Sequence, residues 1–174
     1  MQNLLKKNLK AKFKNAERVA LLGVGSELRA DDAAGMLVAK KLKEKCGNNS
    51  ARFKIFFGET APENLTGEIR KYKPDLLLIV DCANLGKKPG SISVLSPEQI
   101  AGMSFSTHTL PLNMMVKYLI DSVKCDVAII GIQPKSLEFG KKMSPAVIKA
   151  VAHVSKILGD ILGDILGDGV KIIK

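Results

Sequence analysis

A glycine-rich turn near the start of the chain, GVGSELRADDAAG at residues 23–35, joins a short apolar run to an amphipathic segment. An apolar run of strand length followed by helical periodicity predicts a β-strand, a tight turn and an α-helix. The turn places two adjacent carboxylates, Asp31 and Asp32, where the strand ends and the helix begins. Ligands of open α/β sheets bind at that edge. The turn therefore predicts both a fold class and the position of a site.

The same turn resembles a dinucleotide-binding loop but lacks two features of one. Gly23 and Gly25 fit the G-x-G-x-x-G pattern, whereas Leu28 stands where the third glycine belongs. Asp31 and Asp32 would also repel a pyrophosphate at the helix start, and no Gly-Lys-Ser/Thr follows to make a P-loop. We therefore expect no nucleotide cofactor. A simple N-cap remains an alternative explanation for the two acids.

The rest of the chain repeats the strand-then-helix pattern. Short apolar or alternating runs predict strands at residues 19–22, 53–57, 76–80, 91–95 and 127–130. Helical patterns run from 32 to about 47, from 62 to 73, briefly from 97, from 110 to 123, and from 144 onward. Strands that alternate with helices predict one three-layer α/β/α domain with a twisted, mostly parallel five-stranded sheet.

The two ends of the chain differ in composition from this central domain, which we assign to residues 18–158. Residues 1–17 form a basic arm with five lysines among the first fourteen residues, and we expect a solvated extension or a contact for an acidic partner. The sequence ILGD occurs three times in succession at residues 157–168. Residues 159–174 are predicted to form a helical tail to which we assign no chemistry.

Composition narrows the classes of function. A hydrophobic content of 46% is typical of a folded protein, and no apolar run approaches the roughly 20 residues of a membrane helix. The N-terminus lacks the apolar core of a signal peptide, so we expect a cytoplasmic protein without membrane insertion. Five lysines of the arm contribute much of the net charge of +10, and no aromatic-basic RNA motif is present, so we expect no nucleic-acid partner. Nothing in the sequence predicts an oligomeric state.

The three cysteines, Cys46, Cys82 and Cys125, have no CxxC spacing and cannot all pair with one another. In a reducing compartment they are expected to be small buried side chains. Cys82 follows the acidic residue Asp81, so a thiol nucleophile is an alternative at that position.

Three polar side chains follow predicted strands or lie in a loop: Asp32 after the first strand, Asp81 after LLLIV, and His108 in STHTLPL. Parallel strands would bring the two carboxylates to one edge of the sheet, and the loop can bring the imidazole there. Two carboxylates and an imidazole suit nickel, zinc or iron, so these residues predict a metal site. The alternatives are a turn-capping role for Asp81 and a structural histidine. His153, within a helix, is expected to be structural.

Five segments in order resemble the [NiFe]-hydrogenase maturation endopeptidases, and most closely the branch that serves formate-hydrogenlyase-type hydrogenases. The likeness covers roughly residues 18–158. Ser26 stands where that family usually has Asn, and Ala33 and Ala34 replace a glycine often found after the acidic pair. The segments are GVGSELRADDAAG, GETAPEN (58–64), LLLIVDCANLGKKPG (76–90), STHTLPLN (106–113) and GIQP (131–134).

The resemblance implies an aspartyl-type endopeptidase that removes a C-terminal extension from the precursor of a hydrogenase large subunit after nickel insertion. It also implies that Asp32, Asp81 and His108 are both the metal ligands and the catalytic residues. The nickel would be supplied by the substrate and would serve as the recognition element. Residues 58–64 and 84–88 are expected to shape the substrate groove. The alternative is a non-catalytic chaperone that binds the metallocentre on the same fold.

Overall fold

The computed structural model describes residues 2–47, 51–100, 105 and 111–166. The helices in these residues are α1 Gln2–Phe13, α2 Ala34–Cys46, α3 Thr66–Tyr72, α4 Leu112–Val123 and α5 Pro145–Leu166. The strands are β1 Val19–Val24, β2 Phe53–Glu59, β3 Leu76–Cys82, β4 Ile92–Leu95 and β5 Asp126–Ile132. Short 3₁₀ turns span Ala30–Ala33, Pro62–Leu65 and Pro97–Ile100.

The strands form one sheet in the order β2-β1-β3-β5-β4. The pairs β1–β2, β1–β3 and β3–β5 are parallel, whereas β4 pairs antiparallel with β5. This arrangement confirms the predicted five-stranded, mostly parallel sheet. Because β1 and β3 are parallel neighbours, their carboxyl ends meet at one edge.

Hydrophobic side chains cover both faces of the sheet, as parallel sheets require. In β3, Leu76 and Leu78 belong to a core cluster that includes buried residues of α1, α2 and α5. The alternate residues Leu77 and Ile79 belong to a second cluster with α3 and α4. Side chains that alternate along a strand point to opposite faces, so the sheet is the middle of three layers.

Four strands, β1, β2, β3 and β5, extend further than the sequence predicts, and the extension of β3 and β5 concerns the site. Strand β3 includes Asp81 and Cys82, because Asp81 pairs with Gly131 and Cys82 with Ile132 in β5. The predicted ends of β3 at residue 80 and of β5 at residue 130 are therefore wrong by two residues each. The backbone of Asp81 therefore lies within the β3–β5 ladder, and the residues on either side of it, Val80 and Cys82, are also paired with β5.

The basic N-terminal segment is packed on the domain and does not extend into solvent. Leu9 and Phe13 of α1 are almost fully buried in the first core cluster. The lysines lie on the outer side, where Lys10 contacts Asp164 at 2.9 Å. Burial of two large apolar side chains, each contributing about 1.5–3 kcal/mol, explains why this segment folds onto the sheet.

The ILGD repeat continues helix α5 without a break as far as Leu166. Ile161 and Leu162 of the repeat are fully buried and belong to the first core cluster. The boundary predicted between residues 158 and 159 therefore falls within one helix. Residues 167–174 lie outside the described part of the chain. No helix in the described residues is both long and apolar enough to cross a membrane.

Candidate functional site

The turn between β1 and α2 folds back over the end of its own strand. Gly25 has φ +126°, a conformation that side chains disfavour. A Cβ atom at this position would lie 1.7 Å from the carbonyl oxygen of Asp32. The glycine thus allows the backbone around Asp32 to close against residue 25, and both acids of the turn become fully buried.

The start of helix α2 touches the backbone of the sheet at Gly35. A Cβ atom there would lie 2.0 Å from the carbonyl oxygen of Val80 and 2.3 Å from that of Val24. The helix consequently begins directly against the ends of β1 and β3. This contact places the turn at residues 23–35, which we call the acidic turn, beside Asp81, which follows Val80 in β3.

Asp31 is a structural carboxylate that binds the loop between β5 and α5. Its Oδ2 accepts hydrogen bonds from the backbone N–H groups of Lys135 at 2.7 Å and Ser136 at 3.1 Å. Ser144 donates twice, from its N–H to Oδ1 at 2.6 Å and from its hydroxyl to Oδ2 at 3.0 Å. A buried carboxylate with four donors is well compensated for the loss of water.

Asp32 is equally buried but less completely bonded. Its Oδ2 accepts a hydrogen bond from the backbone N–H of Ser26 at 3.0 Å. No residue in the described part of the chain donates to its Oδ1, which is also shielded from solvent. Because Ser26 donates from the backbone, the serine at this position leaves the bond to Asp32 intact.

Neither acid is an N-cap of helix α2. The capping position is Ala33, and its side chain makes no capping hydrogen bond. The alternative that explained Asp31 and Asp32 as simple caps is therefore wrong. Both carboxylates point into the protein, one to the β5–α5 loop and the other to the end of the sheet.

Asp81 is fully buried in β3, next to Cys82. Burial raises the pKa of the Cys82 thiol, and the nearby carboxylates of Asp81, Asp32 and Asp31 raise it further. The thiol donates a hydrogen bond to the backbone oxygen of Asp31 at 2.8 Å. A buried, protonated thiol is a poor nucleophile, so the alternative of a catalytic Cys82 is not supported.

Two of the three predicted site residues, Asp32 and Asp81, both lie close enough to the Cys82 thiol to raise its pKa. The third, His108, falls at residues 106–110, outside the described part of the chain. Within the described residues, no three His, Cys, Asp or Glu side chains form a group that could hold a metal ion. His153 lies half-buried on α5. The three-residue site remains a prediction that depends on His108.

A groove of about 950 Å³ adjoins the acidic turn, between α2 and the end of β2. Glu59 and Thr60 come from the segment 58–64 that was expected to shape a groove. In the segment 84–88, the N–H groups of Leu85 and Lys87 donate to the Gln133 side chain. The other residues that line the groove were not predicted from the sequence, and they include both apolar and charged side chains. The lining residues are Gly25, Ser26, Glu27, Leu28, Met36, Lys40, Lys43, Glu44, Phe57, Glu59 and Thr60.

Comparison with known proteins places this arrangement among proteases. The profile of the HycI hydrogenase maturation protease family matches residues 36–161. Hydrogenase 3 maturation protease of Escherichia coli K12 is 38% identical over 138 residues, which are 77% of this chain and 84% of that protein.

Two solved structures share the fold. The crystal structure of a [NiFe] hydrogenase maturation protease, HycI of Thermococcus kodakarensis, has a TM-score of 0.81 at 30% identity, covering 89% of this chain and 98% of that one. The solution structure of the endopeptidase HycI from Escherichia coli has a TM-score of 0.70 at 35% identity, covering 80% and 87%.

Proposed function

The chain belongs to the hydrogenase maturation protease family, and on that premise we propose that it cleaves a C-terminal extension from the precursor of a [NiFe]-hydrogenase large subunit after nickel insertion. Relatives that match over most of the chain are named proteases or endopeptidases. Their names favour cleavage over the alternative of a non-catalytic chaperone.

The observation that carries the proposal is the unsatisfied oxygen of Asp32. Burying a carboxylate oxygen without a donor costs free energy, and such atoms are rare unless they have a functional partner. Asp32 Oδ1 is shielded from solvent and accepts no hydrogen bond from the described residues. An oxygen of this kind suits a cation that arrives with the substrate. Oxygen donors of Asp32 and Asp81 with a nitrogen of His108 form a set that nickel accepts.

In this proposal nickel is cargo of the substrate, and the protease reads its presence. The metal already bound by the precursor would be contacted by Asp32, Asp81 and His108, which would hold the adjoining peptide at the edge of the sheet. Nickel in such a position polarises a carbonyl or activates water. A precursor without nickel lacks this anchor and is expected to bind too weakly for cleavage. Such processing would take place in the cytoplasm, where the precursor is synthesised.

Mass spectrometry of the precursor's C-terminus tests this function. Purified precursor, with and without nickel, is incubated with the wild-type chain, and cleavage is expected only in the nickel-loaded sample. The variants Asp32→Asn, Asp81→Asn and His108→Ala are expected to lower the rate by about 10²–10³-fold each. Asp121→Asn is the matched control, because this acid lies exposed on α4.

The three parts of the proposal, which are nickel recognition, the site residues and the substrate, fail separately. Equal cleavage of the nickel-free precursor would remove nickel as the recognition element. Wild-type rates in all three site variants would remove the proposed site residues. No cleavage of either precursor by the wild-type chain would contradict the proposed substrate.

A further inference from the structure

Two large apolar side chains are exposed near the two acids, one in the acidic turn and one in the loop that Asp31 binds. Leu28, in the turn itself, is 63% exposed and lines the groove. Phe139, in the loop between β5 and α5, is 73% exposed. Water solvates both side chains poorly, and large aromatic side chains in this situation are enriched at protein interfaces.

Backbone and side-chain hydrogen bonds tie these two loops to each other. The N–H of Gly140 donates to the carbonyl oxygen of Leu28 at 2.8 Å. Arg29 Nε donates to the carbonyl oxygen of Leu137 at 3.2 Å. The buried carboxylate of Asp31 adds the four bonds described above. Leu28 and Phe139 therefore project from one cross-linked unit, which loses little conformational entropy when a partner binds.

The charge of the same loop indicates the chemistry of that partner. Lys135, Lys141 and Lys142 are exposed in it, against one exposed acid, Glu138. An apolar pair flanked by a net positive charge complements an apolar patch flanked by carboxylates.

We propose that Leu28 and Phe139 form a docking surface for the folded body of the precursor, at a distance from the peptide that is cut. This inference rests on the proposed function, because Leu28 lies four residues before Asp32 in the same turn and lines the groove beside it. The continuity of Leu28 with both the groove and the acidic turn favours the substrate as the occupant over a second copy of this chain. Docking of the folded body would let the protease recognise the precursor through more than the metal.

Steady-state cleavage of nickel-loaded precursor tests the surface. Leu28→Ser and Phe139→Ser are each expected to raise KM about tenfold and to leave kcat within about twofold. Ile148→Ser is the matched control, since this side chain is 50% exposed on α5 outside both loops. Unchanged melting temperatures for all three variants would exclude a folding defect as the cause.

The charge pattern has its own readout. Lys141→Glu combined with Lys142→Glu is expected to raise KM at low salt, and the difference should shrink as salt screens the contact. An effect that does not depend on salt would contradict the role of the lysines.

The remaining outcomes show whether the docking surface fails alone or together with the proposed function. If the wild-type chain cleaves the precursor and both serine variants keep its KM, the surface is wrong and the function stands. If the wild-type chain does not cleave the precursor, both fall. If the serine substitutions instead convert a dimer of the free chain to monomer without changing KM, the surface binds a second copy and the proposal is overturned.

Discussion

Asp31 and Asp32 are adjacent in the acidic turn and are both fully buried, but they differ in how many hydrogen bonds their carboxylates accept. On the side of the β5–α5 loop, Asp31 accepts four hydrogen bonds. On the side of the sheet edge, Asp32 accepts one bond from Ser26, and its Oδ1 accepts none from the described residues. The carboxylate of Asp31 is complete as folded, whereas that of Asp32 leaves one acceptor oxygen to which no described residue donates. Under the proposed function, these adjacent identical residues divide stability from substrate binding.

The largest expected difference in stability is between the variants Asp31→Asn and Asp32→Asn. Asp31→Asn replaces one acceptor oxygen by a donor amide, which then faces an N–H such as that of Ser144. We expect the free energy of unfolding to fall by about 3 kcal/mol. Asp32→Asn can keep its oxygen toward Ser26 and place the amide at the unbonded position, so a change within about 1 kcal/mol is expected.

Urea denaturation of the two variants measures this difference directly. Cleavage should report the reverse order, with Asp32→Asn the more damaging once the Asp31 variant is assayed at a temperature where it is folded. Equal losses of stability would contradict the division between the two carboxylates.

A smaller effect is expected from the glycine that closes the turn. Gly25→Ala forces a methyl group toward the carbonyl oxygen of Asp32 at a φ of +126°, so we expect a loss of about 2–3 kcal/mol and reduced cleavage. Gly47→Ala is the control, because Gly47 also has positive φ but no described residue lies within 4 Å of the added carbon. That variant should lose about 1 kcal/mol and keep its cleavage rate. Thermal melts and the precursor assay distinguish the two glycines.

The smallest effect is expected at Cys82, whose thiol donates a hydrogen bond to the backbone oxygen of Asp31. Cys82→Ala removes that contact and a small buried volume, and we expect a loss of about 1–2 kcal/mol with cleavage unchanged. Burial and three carboxylates raise the pKa of the Cys82 thiol. We therefore expect Cys82 to react with iodoacetamide at neutral pH only after the protein is unfolded. Rapid alkylation of Cys82 in the folded chain, followed by peptide mass spectrometry, would contradict this.

The sequence predicts the sheet well because its strands are apolar runs bounded by glycine, proline or acid. The helix of the basic arm also leaves a signal, since Leu5, Leu9 and Phe13 recur every four residues. Five lysines in the same segment obscured this spacing and led to the expectation of a solvated arm. Charge alone does not exclude packing, because a helix can bury one face and expose the lysines on the other.

The role of Asp31 is not readable from the sequence, for a physical reason. Three of its four bonds come from backbone N–H groups, and these lie 104–113 residues away in the chain. Every residue except proline carries such a donor, so the partner leaves no trace in residue type. Asp32 and Asp81 could be predicted to lie at one edge of the sheet because both follow apolar runs whose ends a parallel sheet brings together, and their role in a site stays a prediction. His108, in residues the structure does not describe, stays a prediction.

The contact of Gly35 with the carbonyl oxygens of Val80 and Val24 has a consequence for how the protein tolerates sequence change. The spacing between the acidic turn and β3 is set by main chain against main chain, with no side chain between them. Substitutions that swap one hydrophobic side chain for another deeper in either core cluster leave that spacing unchanged. We therefore expect hydrophobic substitutions in the interior of this chain to leave the acidic turn in place against β3, provided that Gly35 stays free of a side chain.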